Sequence, residues 1–145
     1  MARTTSEIVI DASAREVMNV IADFEAYPLW AMGMKRAEIV DQGDGHRAKE
    51  VFFVLDATPI RDEYVLAYEW DGDRQVSWTL AKSGQMLRSM EGAYVLEADV
   101  SGGTRVTYHL AVDVSVPLLG MLKRKAEKVI IDTALKGLKN RVEGA

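Results

Sequence analysis

The chain has 145 residues, 48% hydrophobic and 28% charged, a composition that suits one folded domain and excludes disordered or fibrous chains. Eighteen basic against twenty-two acidic residues leave a net charge of −4, which argues against the basic face that wrapping nucleic acid requires. The absence of cysteine excludes a disulfide framework, thiol catalysis and a zinc knuckle. The first seven residues, Met1-Ala2-Arg3-Thr4-Thr5-Ser6-Glu7, lack the apolar core of a signal peptide. No apolar run nears the roughly 18 residues of a membrane span. The expectation is a single domain over residues 1–145, working in the cytoplasm.

The first element is a short strand at Glu7-Ile8-Val9-Ile10. Ser13-Ala14-Arg15-Glu16 has the form of a capping box, in which serine and glutamate satisfy the first amides of a helix. Val17, Val20, Ile21 and Phe24 then recur at helical spacing, giving one apolar stripe. Pro28 disfavours helical geometry at Tyr27, so the helix should end near there, with Tyr27-Pro28-Leu29-Trp30 a turn or a second short helix.

From Met34 to Ser115 the pattern becomes strand after strand, about six in all. Gly43-Asp44-Gly45, Asp71-Gly72-Asp73 and Ser101-Gly102-Gly103 are hairpin-turn signals between them. Tyr64, Leu66, Tyr68 and Trp70 share one face, and Glu63, Val65, Ala67 and Glu69 the other. Val76, Trp78 and Leu80 alternate in the same way, as do Val106, Tyr108, Leu110, Val112 and Val114. One apolar and one wet face are the mark of an antiparallel sheet.

After Val116-Pro117 the period returns to 3.6 for a helix of roughly 25 residues. One stripe holds Leu118, Leu122, Ala126, Val129 and Thr133, flanked by Leu119, Ile130 and Gly137. A second stripe, Ile131, Leu135, Leu138 and Val142, lies on nearly the opposite side. It is either packed against the first strand and helix or a dimer seam, so a monomer or small homo-oligomer is expected.

This order of elements resembles the helix-grip superfamily of START-like (SRPBCC) domains, which includes polyketide cyclase/dehydrase, coenzyme Q-binding and plant pollen-allergen proteins. The resemblance rests on residues 13–30, Ser-Ala-Arg-Glu-Val-Met-Asn-Val-Ile-Ala-Asp-Phe-Glu-Ala-Tyr-Pro-Leu-Trp, with Glu91-Gly92-Ala93-Tyr94-Val95-Leu96 and Gly103-Thr104-Arg105-Val106-Thr107-Tyr108. It implies an α+β fold in which a curved antiparallel sheet of about seven strands wraps a long C-terminal helix. It also implies a cavity between sheet and helix for an apolar ligand, with no cofactor. Small residues at Ala126, Thr133 and Gly137 leave room either for close packing or for a guest. The seven methionines are either core filler or adaptable walls.

The candidate ligand-binding residues are the apolar-face aromatics Tyr64, Tyr68, Trp78, Tyr94 and Tyr108, with Trp30 and Met90, and Leu122, Ala126 and Val129 from the long helix. Arg88 joins them if alternation runs unbroken from Met86 to Tyr94; a bulge near Gly92 would send it to solvent instead. Arg61 reads as a solvated strand-end residue.

Catalytic residues are not legible. His46 follows a glycine turn and His109 alternates onto the wet face, so neither sits where a triad needs it. No acidic residues combine with histidine at metal-ligand spacing, and no metal is expected. Lys123, Arg124, Lys125 and Lys128 form a basic cluster. It is either a solvated face or an electrostatic lip for an anionic membrane or an acidic carrier protein, with Leu118, Leu119, Met121 and Leu122 as apolar contacts. The function expected is binding or transport of a lipid, isoprenoid quinone or polyketide-like molecule. The alternatives are a metal-free polyketide aromatase/cyclase or dehydrase, and a partner-binding domain with a closed cavity.

Overall fold

Alternating strands and two helical stripes fold into one curved sheet closed on one side by a long helix. The structure, a computed structural model, describes residues 4–31, 33–43, 45, 47–57, 60–114 and 120–144, with side chains for all of these except 57, 60 and 120–123. In chain order the elements are β1 (Thr4–Ile10), α1 (Ala14–Ala22), a 3-10 turn (Phe24–Ala26) and α2 (Tyr27–Trp30). Six strands follow: β2 (Met34–Asp41), β3 (Glu50–Ala57), β4 (Ile60–Asp71), β5 (Gln75–Lys82), β6 (Leu87–Ala98) and β7 (Thr104–Val114). The helix α3 (Gly120–Glu143) ends the fold. All seven strands pair antiparallel in the order β1-β7-β6-β5-β4-β3-β2, the α+β helix-grip arrangement.

Local chemistry sets the boundaries. The Glu16 N–H donates to Ser13 Oγ and the serine hydroxyl donates to the Glu16 carboxylate, each at 3.2 Å, so the cap closes through the two side chains. Val17, Met18 and Ile21 are buried, and α1 stops at Ala22, five residues before Tyr27. Tyr27 nevertheless has helical backbone, φ −52° and ψ −41°. Pro28 stands in the first turn of α2, where its missing N–H removes no intrahelical bond. Gly43, Gly72 and Gly102 take positive φ at the three hairpins, as their turns demand.

The second stripe of α3 is consumed inside the chain. Ile131, Leu135 and Leu138 are almost fully buried with Ile10, Val17, Met18, Ile21 and Val106 in one core. That packing against β1 and α1 fills the place of the dimer seam. Closer to the N-terminal end of α3, Glu127 is also buried. Its carboxylate accepts from Thr4 Oγ1 at 2.6 Å and from the Val112 N–H at 2.7 Å, tying the helix to β1 and β7.

Candidate functional site: a cavity between the sheet and α3

The two stripes of α3 do different work, because the stripe opposite the core faces a void. A cavity of about 400 Å³ lies between the sheet and this face of the helix. Ala126, Val129, Ile130, Thr133 and Ala134 line it from α3, and Tyr27, Trp30 and Ala31 from around α2. Close-packed interiors hold few voids larger than a water molecule, so an opening of this size is a feature of the fold rather than a packing defect. Val129 is 53% exposed although it lines the cavity, which marks the mouth. Lys35 and Asp56 stand among the lining residues as well, and the Asp56 carboxylate pairs with exposed Arg61 at 3.2 Å.

The walls follow from strand register. Phe53 lies opposite Tyr64 on β3 and β4, Tyr68 opposite Trp78 on β4 and β5, and Tyr94 opposite Tyr108 on β6 and β7. Directly opposed aromatics on one face touch. Ring centroids are 5.7 Å apart for Phe53–Tyr64, 5.8 Å for Tyr68–Trp78 and 4.6 Å for Tyr94–Tyr108. Trp78 bridges the pairs, 5.4 Å from Tyr94 and 5.6 Å edge-on from Tyr108. Its indole lies against Gly92, its register partner, where a Cβ would stand 2.3 Å from the ring. Gly137 permits a similar approach on α3, since a Cβ there would meet the Trp30 carbonyl oxygen at 2.6 Å. These two glycines bring an aromatic wall and α2 into place.

Burial, the largest cause in every case, raises the phenols of Tyr27, Tyr64, Tyr68, Tyr94 and Tyr108 above their usual range. All five therefore remain neutral hydroxyls near neutral pH. Tyr27 donates to the Ile21 carbonyl. The Trp30 indole N–H is buried and has no partner among the described residues.

Of the residues expected from sequence to meet a ligand, Trp30, Tyr64, Tyr68, Trp78, Met90, Tyr94, Tyr108, Ala126 and Val129 all line this cavity. The Leu122 side chain lies outside the described residues, as do those of Met121 and Lys123, and so do Leu118, Leu119 and His46. Arg88 requires correction. The register shifts between Leu87 and Ser89, so two residues of β6 separate buried Leu87 from buried Met90. That bulge turns Arg88 out to solvent, where it lines nothing. Sequence reading also passed over Tyr27, Phe53, Leu55, Leu66 and Ile130 as lining. The alternation Val51-Phe53-Leu55 on β3 was the available signal for two of them.

His109 is half-buried on the face away from Tyr108, with its Nδ1 2.9 Å from Thr5 Oγ1. Among the described residues no group of three acidic, histidine or cysteine side chains is placed to hold a metal ion. No described helix is long and apolar enough to cross a membrane.

The family described as polyketide cyclase/dehydrase and lipid transport matches residues 1–143. No curated protein matches the sequence. Among solved structures the chain is similar to a START superfamily protein from Mycobacterium smegmatis, at 21% identity and TM-score 0.90, covering 98% of this chain and 97% of that one. It is similar to TTHA0849 from Thermus thermophilus, at 24% identity and TM-score 0.80, over 99% and 98%. It is also similar to the Zhui aromatase/cyclase from Streptomyces sp. R1128, at 14% identity and TM-score 0.76, over 98% and 93%. At these identities the likeness shows the fold alone. With its family matched over nearly the whole length, the chain belongs to the polyketide cyclase/dehydrase and lipid transport family.

Proposed function

We propose that the chain binds and carries a small, largely apolar molecule in the cavity between the sheet and α3. The observation that carries this reading is an opening of about 400 Å³, walled by opposed aromatics and ending in a mouth at Val129. Its volume falls in the range of small-molecule pockets. The residues that would hold the ligand are Trp30, Tyr64, Tyr68, Trp78, Met90, Tyr94, Tyr108, Ala126 and Val129, with Leu122 as the further candidate on α3. Exposed Arg124 and Lys125 on the same helix would give the mouth a positive lip for an anionic membrane surface. Lys128 adds less, being engaged with Asp132 at 3.0 Å and with Ser6. The same reading has the protein working in the cytoplasm, which fractionation of its host checks.

A second reading, a metal-free cyclase or dehydrase acting on a polyketide chain, is favoured by the family's description alone. Native mass spectrometry of protein purified from its own host separates the two. A co-purifying apolar molecule that is released unchanged supports carriage. A polyketide-like compound that is released cyclised or dehydrated supports catalysis. A chain that stays empty even when offered apolar compounds would overturn both.

A further inference from the structure

We propose that the outer edge of β2 pairs antiparallel with β2 of a second copy of this chain, about a two-fold axis at Ala37 that sets Arg36 of each copy opposite Glu38 of the other. The inference stands apart from the ligand reading and holds whether or not the cavity is filled.

β1 and β2 are the two edges of the sheet. The β1 edge is covered by α3, where Lys139 donates to the Val9 carbonyl at 2.7 Å and Lys128 reaches Ser6 Oγ at 3.3 Å. From Arg36 to Ile39 the β2 edge has no such cover, since no hydrogen bond from outside the sheet reaches this stretch among the described residues. An unpaired row of N–H and C=O groups is a template for another strand. Ile39 is 36% and Val40 55% exposed, so apolar surface lies bare at the same edge. Register shifts between Met34 and Arg36 and between Ile39 and Asp41 leave four regular residues, Arg36 to Ile39. That shortness bars long indiscriminate pairing and leaves a seam whose partner its side chains must select.

The charges select a second copy. Arg36 and Glu38 stand opposite Val54 and Phe52 on the outer face, whereas Ala37 and Ile39 stand opposite buried Phe53 and Val51 on the inner one. Residues facing each other across an antiparallel pair share a face, so a two-fold pairing that keeps both outer faces on one side must centre on a residue. Centred on Arg36 or on Glu38 it sets like charges opposite each other, which destabilises the pair. Centred on Ala37 it forms two Arg36–Glu38 pairs across the seam. Within one chain these side chains already meet, Arg36 Nε donating to Glu38 at 2.8 Å, and they stay 61% and 49% exposed. An edge guarded against its own kind does best with one sign of charge, most often lysine. β2 carries both signs, in the order that attracts a copy of itself. Met34 and Lys35 line the cavity, so this pairing brings Ile39 and Val40 of the second copy to the cavity rim.

The test is sedimentation velocity on the full chain in low salt, from about 10 µM to about 1 mM, because a seam this short falls below the roughly 1,200 Å² of a standard interface and holds weakly. Wild type should be monomeric at the low end and largely dimeric at the high end. Arg36→Glu and Glu38→Arg both change exposed side chains, so each should keep the thermal midpoint within about 2 °C of wild type. Each alone should weaken association about tenfold or more, by setting like charges opposite each other. Mixing the two variants should restore association to within about threefold of wild type, since each supplies the sign that the other lacks. Wild type that stays monomeric at about 1 mM would overturn the proposal. So would a dimer that both variants form as tightly as wild type does, or a mixture that associates no better than either variant alone.

Discussion

At the scale of single residues, what matters most is which side chains are missing. Gly92 lets the Trp78 indole lie against the sheet, and a methyl group there would sit 2.3 Å from ring carbons. Gly92→Ala should therefore push Trp78 into the cavity and cost about 1–3 kcal/mol through strain. Denaturant unfolding reads the loss, and a shift in tryptophan emission reports the displaced ring. The variant keeping wild-type stability and emission would show that the indole is not held against Gly92. Arg88 gives the opposite expectation. Because the bulge at Leu87 and Ser89 aims it outward, Arg88→Ala should change neither stability nor the affinity for any cavity probe. A tenfold loss of affinity would return it to the cavity. Unbroken alternation would put Arg88 in the cavity, and the bulge that sends it to solvent falls at Leu87 and Ser89 rather than near Gly92. A strand's two-residue period persists only while every residue is paired, and the extra residue in a bulge leaves no trace in hydrophobicity.

Among the elements, one acidic residue organises a connection. The loop from β5 to β6 returns through Gln85, Met86 and Leu87, and the N–H groups of all three donate to the Asp62 carboxylate on β4 at 2.8–2.9 Å. Partial burial would raise this carboxyl, but those bonds and the Glu63 N–H more than offset it, so its pKa is lowered. The sign follows from linkage. A carboxyl whose folded pKa is depressed contributes stability that is present above its unfolded value, near 3.9, and is lost as pH falls through the folded one. Asp62→Asn should therefore lower the thermal midpoint at pH 7, and the difference from wild type should shrink below about pH 4. A gap between the two proteins that stays constant from pH 7 down to pH 2.5 would contradict the ion's role. None of this was visible in sequence, where Asp62 is one acid among many and the amides it gathers lie more than twenty residues further on. The elements themselves were legible, because period and turn residues are local. Six strands between Met34 and Val114 and a 24-residue terminal helix came out where alternation and the 3.6 repeat put them. The end of α1 did not, since Phe24 keeps its buried place on a 3-10 turn rather than on the helix.

For the whole molecule, the account turns on one helix serving two clients. Its Ile131, Leu135 and Leu138 face is core, and its Ala126, Ile130 and Thr133 face is cavity. From sequence both stripes were visible, yet small residues facing large aromatics read equally as close packing or as space. Only the spacing of helix from sheet separates those readings, and spacing is a property of the assembled fold. A ligand that fills the space should stabilise the protein by mass action, by about 2.7 kcal/mol at a hundred times its dissociation constant.

The claim that this space is real and is the binding site is tested most directly at Ala126, 8% exposed and on the cavity wall. The measurement is the affinity of Nile red, an uncharged apolar dye, for wild type and for Ala126→Trp, with both thermal midpoints recorded. An indole forced into a packed interior strains it by roughly 1–3 kcal/mol, whereas one entering a void buries apolar surface at about 25 cal/mol per Å². The account predicts a midpoint within about 2 °C of wild type and dye affinity reduced about tenfold or more, because dye and indole compete for one volume. A midpoint lowered by about 5 °C or more would mean that the space is filled, and a stable variant binding the dye as wild type does would place the ligand elsewhere.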